Sequence, residues 1–237
     1  MTDKRNIITK NIARMFHDGE FVNLGVGMPT LVSNYIPSGV TVLLHGENGC
    51  VGLSKIVGHV LDNNYEWETQ NSGENGSWST GHKDLGDAGG NYATLIPGGC
   101  CFDSSMAFAM VRGGHLDTTV LGALQVDVEG NLANWTVPGK SVNGIGGAMD
   151  IVCGAKKVII AMEHCTRKGE PKLLKKCTMP LTAIHCVDVI VTELCTIHLT
   201  ESGFLVTAMA PGVTKEELQN KTEAELTFAE EIEIMIL

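Results

Sequence analysis

The chain has 237 residues, 28 of them glycine and eight cysteine, with a formal net charge of −10. That length supports a sizeable core, and the acidic balance gives a nucleic-acid partner no electrostatic support. The N-terminal run Met1-Thr2-Asp3-Lys4-Arg5 lacks the apolar core of an export signal, and no apolar run reaches the roughly 18 residues that span a bilayer. A cytoplasmic chain with reduced thiols is expected, its cysteines lying singly in apolar runs (Cys153, Cys186, Cys195) or as the adjacent pair Cys100-Cys101.

Ile8, Ile12, Met15 and Phe16 recur at helical spacing and predict an amphipathic helix over residues 3–18. Residues 21–24 read as a short strand, and Gly25-Val26-Gly27-Met28-Pro29 as a tight turn into a helix near 30–35. Val40-Thr41-Val42-Leu43-Leu44 reads as a buried strand, and Gly46-Glu47-Asn48-Gly49 follows it. A carboxylate there leaves the strand end for a loop, where open α/β sheets form their ligand clefts. Glu47 is therefore a candidate nucleophile; the alternative is a turn glutamate facing water.

Residues 62–92 are polar and Gly/Asn-rich, a loop length that is usually functional or mobile. It contains a second Gly-Glu-Asn-Gly, residues 73–76, with no strand before it, which reads as coincidence. Asp103-Ser104-Ser105 is an N-cap signal for a helix over 106–111. Short apolar runs at 119–124, 132–137, 158–162 and 187–194 read as strands, and 197–199 with 204–206 as a hairpin. Gly144-Ile145-Gly146-Gly147-Ala148 is a glycine-rich turn whose N–H groups at 146–148 are free to face a ligand; the alternative is a structural turn. Thr214 with Glu217 marks a last helix. With no repeat or linker, residues 1–237 read as one α/β domain. His164-Cys165, His185-Cys186 and Cys195-x-x-His198 contain no CxxC pair, so no metal is expected.

Together these segments resemble the B (β) subunit of family I CoA-transferases, the 3-oxoacid and butyrate–acetoacetate group. The resemblance rests on Asn23-Leu24-Gly25-Val26-Gly27-Met28-Pro29-Thr30, Glu47-Asn48-Gly49, Phe102-Asp103-Ser104-Ser105 and Val111-Arg112-Gly113-Gly114-His115-Leu116-Asp117. It continues through Leu121-Gly122-Ala123-Leu124-Gln125-Val126-Asp127, Gly130-Asn131-Leu132-Ala133-Asn134-Trp135, Val137-Pro138-Gly139-Lys140, Gly146-Gly147-Ala148-Met149-Asp150 and Lys175-Lys176-Cys177-Thr178, in order over most of the chain.

The resemblance implies an open sheet with helices on both faces, and a transferase that moves CoA from a short-chain acyl-CoA to a carboxylic acid. It makes Glu47 the nucleophile that carries the glutamyl-CoA thioester, and puts Gly146 and Gly147 in the oxyanion hole. Asn131 and Asn48 join them as substrate-binding candidates. No cofactor is implied, since coenzyme A is itself a substrate. The implied partner is a homologous A (α) subunit, within a heterotetramer, with neither nucleic acid nor membrane involved. An acyl-CoA hydrolase on the same fold and a non-catalytic binding protein are the alternative functions. The chain departs from the family at Gly46, where relatives have Ser, and at Asp87, where they have Asn. Residues 53–88 are longer than in relatives by on the order of twenty residues, a length change that loop entropy tolerates.

Overall fold

The structure, a computed structural model, describes residues 3–53, 82–87, 89–90, 92–139 and 144–237. Most of the long polar segment, the second Gly-Glu-Asn-Gly included, lies outside the described residues. Among the described residues no helix is long and apolar enough to cross a membrane.

Helix α1 (Lys4–Ala13) starts where Asp3 accepts from Arg5 N. It stops short of the expected residue 18, because Met15 N and Phe16 N bend back to the Ile12 and Ala13 carbonyls. Phe16 still reaches the core, which is why its spacing resembles a continued helix. After β1 (Phe21–Leu24), residues Met28–Tyr35 form a 3-10 helix. There the Thr30 hydroxyl donates to Gly27 O and the Ser33 hydroxyl to Thr30 O, a competition that favours the tighter turn.

The strand expected at 40–44 is displaced to β2 (Leu43–Gly46), since Thr41 is held by Asp18 and Gly19 in the connection. It turns back at once into β3 (Cys50–Leu53), which the sequence reading did not foresee. There follow β4 (His82–Gly86), β5 (Tyr92–Ala93), β6 (Leu95–Cys101), α2 (Ser104–Arg112) and β7 (Thr118–Leu121). Next come β8 (Gln125–Asp127), β9 (Leu132–Ala133), α3 (Ala148–Gly154), β10 (Lys157–Ala161) and β11 (Leu173–Leu174). The chain continues with β12 (Val189–Val191), β13 (Cys195–Thr200), β14 (Gly203–Met209), α4 (Lys215–Asn220) and β15 (Leu226–Ile234). The expected Thr214 cap accepts from Glu217 N, but Glu217 pairs with Lys221 instead of completing a capping box.

Ten strands form one mixed sheet in the order β15-β14-β13-β12-β10-β7-β1-β2-β3-β6. Its centre, β2-β1-β7-β10-β12, is parallel. Alternation along these strands feeds two cores. Val120, Ile159, Val189 and Val191 pack with Ile8 and Ile12 of α1, whereas Leu121, Val158, Ile160 and Ile190 pack with Val152 of α3 and Leu218 of α4. The sheet is thus open and covered by helices on both faces, as expected. One correction concerns the thiols: Cys153 is exposed on α3, while Cys195 is fully buried.

Candidate active site

The chain passes from β1 to β2 on one side of the sheet and returns to β7 on the other side of β1. Strand order therefore reverses around β1, and at the carboxyl ends of β1 and β2 the connections diverge. Such a switch point opens a crevice at the sheet edge. Glu47 stands there, in the turn Glu47-Asn48-Gly49 between the paired residues Gly46 and Cys50. Gly49 closes the turn with φ 118°, and any Cβ on it would run into the Phe102 carbonyl, so the turn requires glycine twice over. Phe102 N donates to Gly49 O at 2.9 Å, fastening the turn to the start of α2.

Glu47 is half-buried, and among the described residues no hydrogen-bond donor meets its carboxylate. Burial pushes its pKa above the ordinary glutamate value. The wall that dries it is made by α2 and by the residues ahead of α3. A Cβ placed on Gly147 would lie 2.9 Å from Oε2 of Glu47 and 2.6 Å from Cζ of Phe108. Only a glycine lets the main chain pass between these two side chains. Gly147 is also the N-cap of α3, and among the described residues nothing accepts from the N–H of Gly146 or Gly147.

Phe108, which the sequence reading missed, is held from behind. The Arg112 guanidinium lies 5.9 Å from its ring centroid and donates from Nε to Asp150 of α3 at 2.7 Å. The i, i+4 pair Phe108 and Arg112 is visible in the sequence, but nothing in the spacing says that the ring faces Glu47.

Beneath the turn, a polar chain crosses the three strands β7, β1 and β2. Thr119 Oγ1 donates to Asn23 Oδ1 at 3.1 Å, and Asn23 Nδ2 donates to His45 O at 3.2 Å. His45 is buried, and burial lowers its pKa against an opposing hydrogen bond to the Ala107 main chain. This chain fixes the strand that delivers Glu47.

The other candidates are placed differently. Asn48 is exposed and donates to Gly86 O at 2.8 Å, linking the turn to β4. A Cβ on Gly46 would come 2.6 Å from Asn48 Oδ1, so a glycine at this position fits this pose of Asn48. Asn131 is 6% exposed in the β8–β9 turn. Its Nδ2 donates to Asp127 and Glu129, its Oδ1 accepts from His185 N, and its own N–H goes to Asp127. Both amide hydrogens are thus engaged within the turn, and among the described residues no hydrogen bond joins Asn131 to Glu47. His164 is likewise engaged: its ring nitrogens meet the Thr192 and Thr222 hydroxyls at 3.1 and 2.9 Å, and burial lowers its pKa to about 4. Among the described residues no three His, Cys, Asp or Glu side chains gather as a metal ion requires.

The coenzyme A transferase family model matches residues 5–73 and 79–221. The chain is 44% identical over 230 residues to the acetate CoA-transferase subunit beta of Escherichia coli K12, covering 97% of this chain and 96% of that one. It is also 44% identical over 220 residues to the mitochondrial succinyl-CoA:3-ketoacid coenzyme A transferase 2B of Mus musculus, covering 92% of this chain but 39% of that longer protein. Among solved structures, the apoenzyme of an acyl-CoA transferase from Escherichia coli O157:H7 superposes with a TM-score of 0.71 at 18% identity. That match covers 99% of this chain and 43% of the other, and at such identity it speaks for the fold alone. The chain belongs to the coenzyme A transferase family, as a subunit of the B, or beta, type.

Proposed function

We propose that this subunit moves CoA between a short-chain acyl-CoA (acetoacetyl-, butyryl- or acetyl-CoA) and a carboxylic acid through a thioester on Glu47. The observation that carries the reading is the carboxylate itself: half-buried at the sheet's switch point, raised in pKa, and without a hydrogen-bond donor among the described residues. A carboxylate needs no general base to attack a thioester carbonyl, but it gains reactivity when water is removed from it.

In the first half-reaction Glu47 attacks the acyl carbonyl and CoA leaves as a thiolate, giving an acyl–glutamyl anhydride. The thiolate then attacks the glutamyl carbonyl, releasing the first acid and leaving glutamyl-CoA. The acceptor acid runs the same two steps in reverse and regenerates Glu47. Each addition puts negative charge on a carbonyl oxygen beside the turn, where the N–H groups of Gly146 and Gly147 are unclaimed among the described residues. Binding energy from the remote parts of CoA offsets the cost of a dry carboxylate. Coenzyme A enters as substrate, and no further cofactor is invoked.

The active form is a complex with an A subunit, in which the partner completes the site. Support comes from the E. coli relative, itself named a subunit, and from the mouse enzyme, of which this chain matches 39%. Two such heterodimers pair into the heterotetramer.

The test mixes this chain with its A subunit, acetoacetyl-CoA and acetate. Acetyl-CoA should form, and borohydride applied after the acyl-CoA should inactivate the complex and reduce Glu47 to an alcohol seen by mass spectrometry. Free CoA released without any acceptor would indicate a hydrolase instead, and no reaction at all would indicate a binding protein. Label on another glutamate would reject Glu47. Purified alone, the chain should transfer nothing; activity by itself would sink the two-subunit reading.

A further inference from the structure

We propose that Cys50 and Cys101 form a redox-responsive disulfide that ties the nucleophile turn to the segment entering α2. The two residues stand directly opposite each other in the antiparallel pair β3–β6. The bond from Phe102 N to Gly49 O flanks them on one side, which identifies Cys50 and Cys101 as a pair that does not exchange main-chain hydrogen bonds with each other. Such pairs bring Cα atoms to about 4.5 Å and side chains close together on one face. A disulfide spans Cα separations of about 4.4–6.8 Å, so the backbone already stands within bridging distance.

The sulfur atoms are 3.9 Å apart as thiols. Side-chain rotation is enough to bring them to the roughly 2.05 Å of a bond. Cys100 pairs with Val51 and, by strand alternation, points to the opposite face from Cys101.

Exposure separates the two roles. Cys101 is exposed and meets the oxidant, whereas Cys50 is buried and resolves. With a small disulfide such as oxidised glutathione, the Cys101 thiolate attacks one sulfur and expels one glutathione thiolate. Cys50 then gives its proton to solvent, and its thiolate attacks the Cys101 sulfur and expels the second. Two protein thiols are oxidised and one small disulfide is reduced to two thiols. Burial raises the Cys50 thiol to about 11, which makes the second step the slow one. The closed link joins residues 51 positions apart and restrains the unfolded chain, so it stabilises the fold.

The experiment incubates the full-length chain with oxidised glutathione, blocks remaining thiols and maps the peptides. The expected result is a Cys50–Cys101 cross-linked peptide, two glutathione molecules released per chain, and a higher Tm that dithiothreitol reverses. Cys100→Ser should keep all three, and Cys101→Ser should lose them. A bridge between Cys100 and Cys101, a bridge between two chains, or a stable glutathione adduct on Cys101 with Cys50 still free would overturn the proposal. This test does not depend on the transferase reading, so the two can fail separately.

Discussion

Asp127 and Glu47 both stand where a strand enters a hairpin turn, and their surroundings are opposite. Asp127, at the end of β8, is 1% exposed and accepts from Glu129 N, Asn131 N, Asn131 Nδ2 and Cys177 N. Glu47, after β2, meets no donor among the described residues and is raised in pKa by burial alone. A buried charge with four donors is part of the scaffold, because its lost hydration has been replaced. One left half-dry and unpaired costs stability and keeps its reactivity. The same residue chemistry thus serves structure in one turn and, under the proposed mechanism, catalysis in the other.

The strongest way to break that contrast is Glu47→Gln, which keeps the shape and removes the proposed nucleophile. Transfer by the assembled enzyme should fall by about four orders of magnitude or more, while the isolated chain at neutral pH melts no lower than the wild type. Steady-state CoA exchange and thermal melting measure the two effects; residual turnover near wild type would remove Glu47 from the mechanism. Asp127→Ala should do the reverse. It strands buried donors and should cost about 3 kcal/mol in urea unfolding, with the specific activity of the folded fraction kept.

Gly147, beside Glu47, and its neighbour Gly146 sharpen the comparison further. Gly147 has an ordinary φ of −83°, so its requirement is purely steric. In Gly147→Ala the new Cβ meets Phe108 and Glu47, and kcat/KM should drop about 100-fold, comparable to losing one oxyanion donor. Gly146 has φ 57° and open space around it, so Gly146→Ala should cost about 1 kcal/mol of backbone strain with less effect on rate.

The smallest effect is in the pH dependence. The folded-state pKa of Glu47 lies above its unfolded value near 4.5, so its ionisation opposes folding, and this cost appears as pH rises through the folded pKa. Glu47→Gln should therefore raise Tm at neutral pH, and the gain should vanish as pH falls towards 4.5. The acid limb of kcat/KM should likewise lie above 4.5, since only the carboxylate attacks. A limb at or below that value would mean that Glu47 is solvated in the working complex.

Read alone, the residues from Gly46 to Gly49 offered a strand-end carboxylate in a glycine turn and left open whether it faces water, whereas the fold half-buries it. The sequence likewise determined the short strands, the Asp103 and Thr214 caps and the α/β class, all of which arise from local periodicity and local hydrogen bonding. It missed β15, whose run of glutamates hides an edge strand that only β14 makes worthwhile, and it missed the return strand β3.

Tertiary structure alone decided that Gly147 and Phe108, roughly 100 and 60 residues downstream in a chain that loops back to the switch point, form the wall against Glu47. It also decided that the Asn131 amide is consumed by its own turn. Burial and the pairing of donors are sums over neighbours brought together by the fold, and no spacing along the chain encodes them.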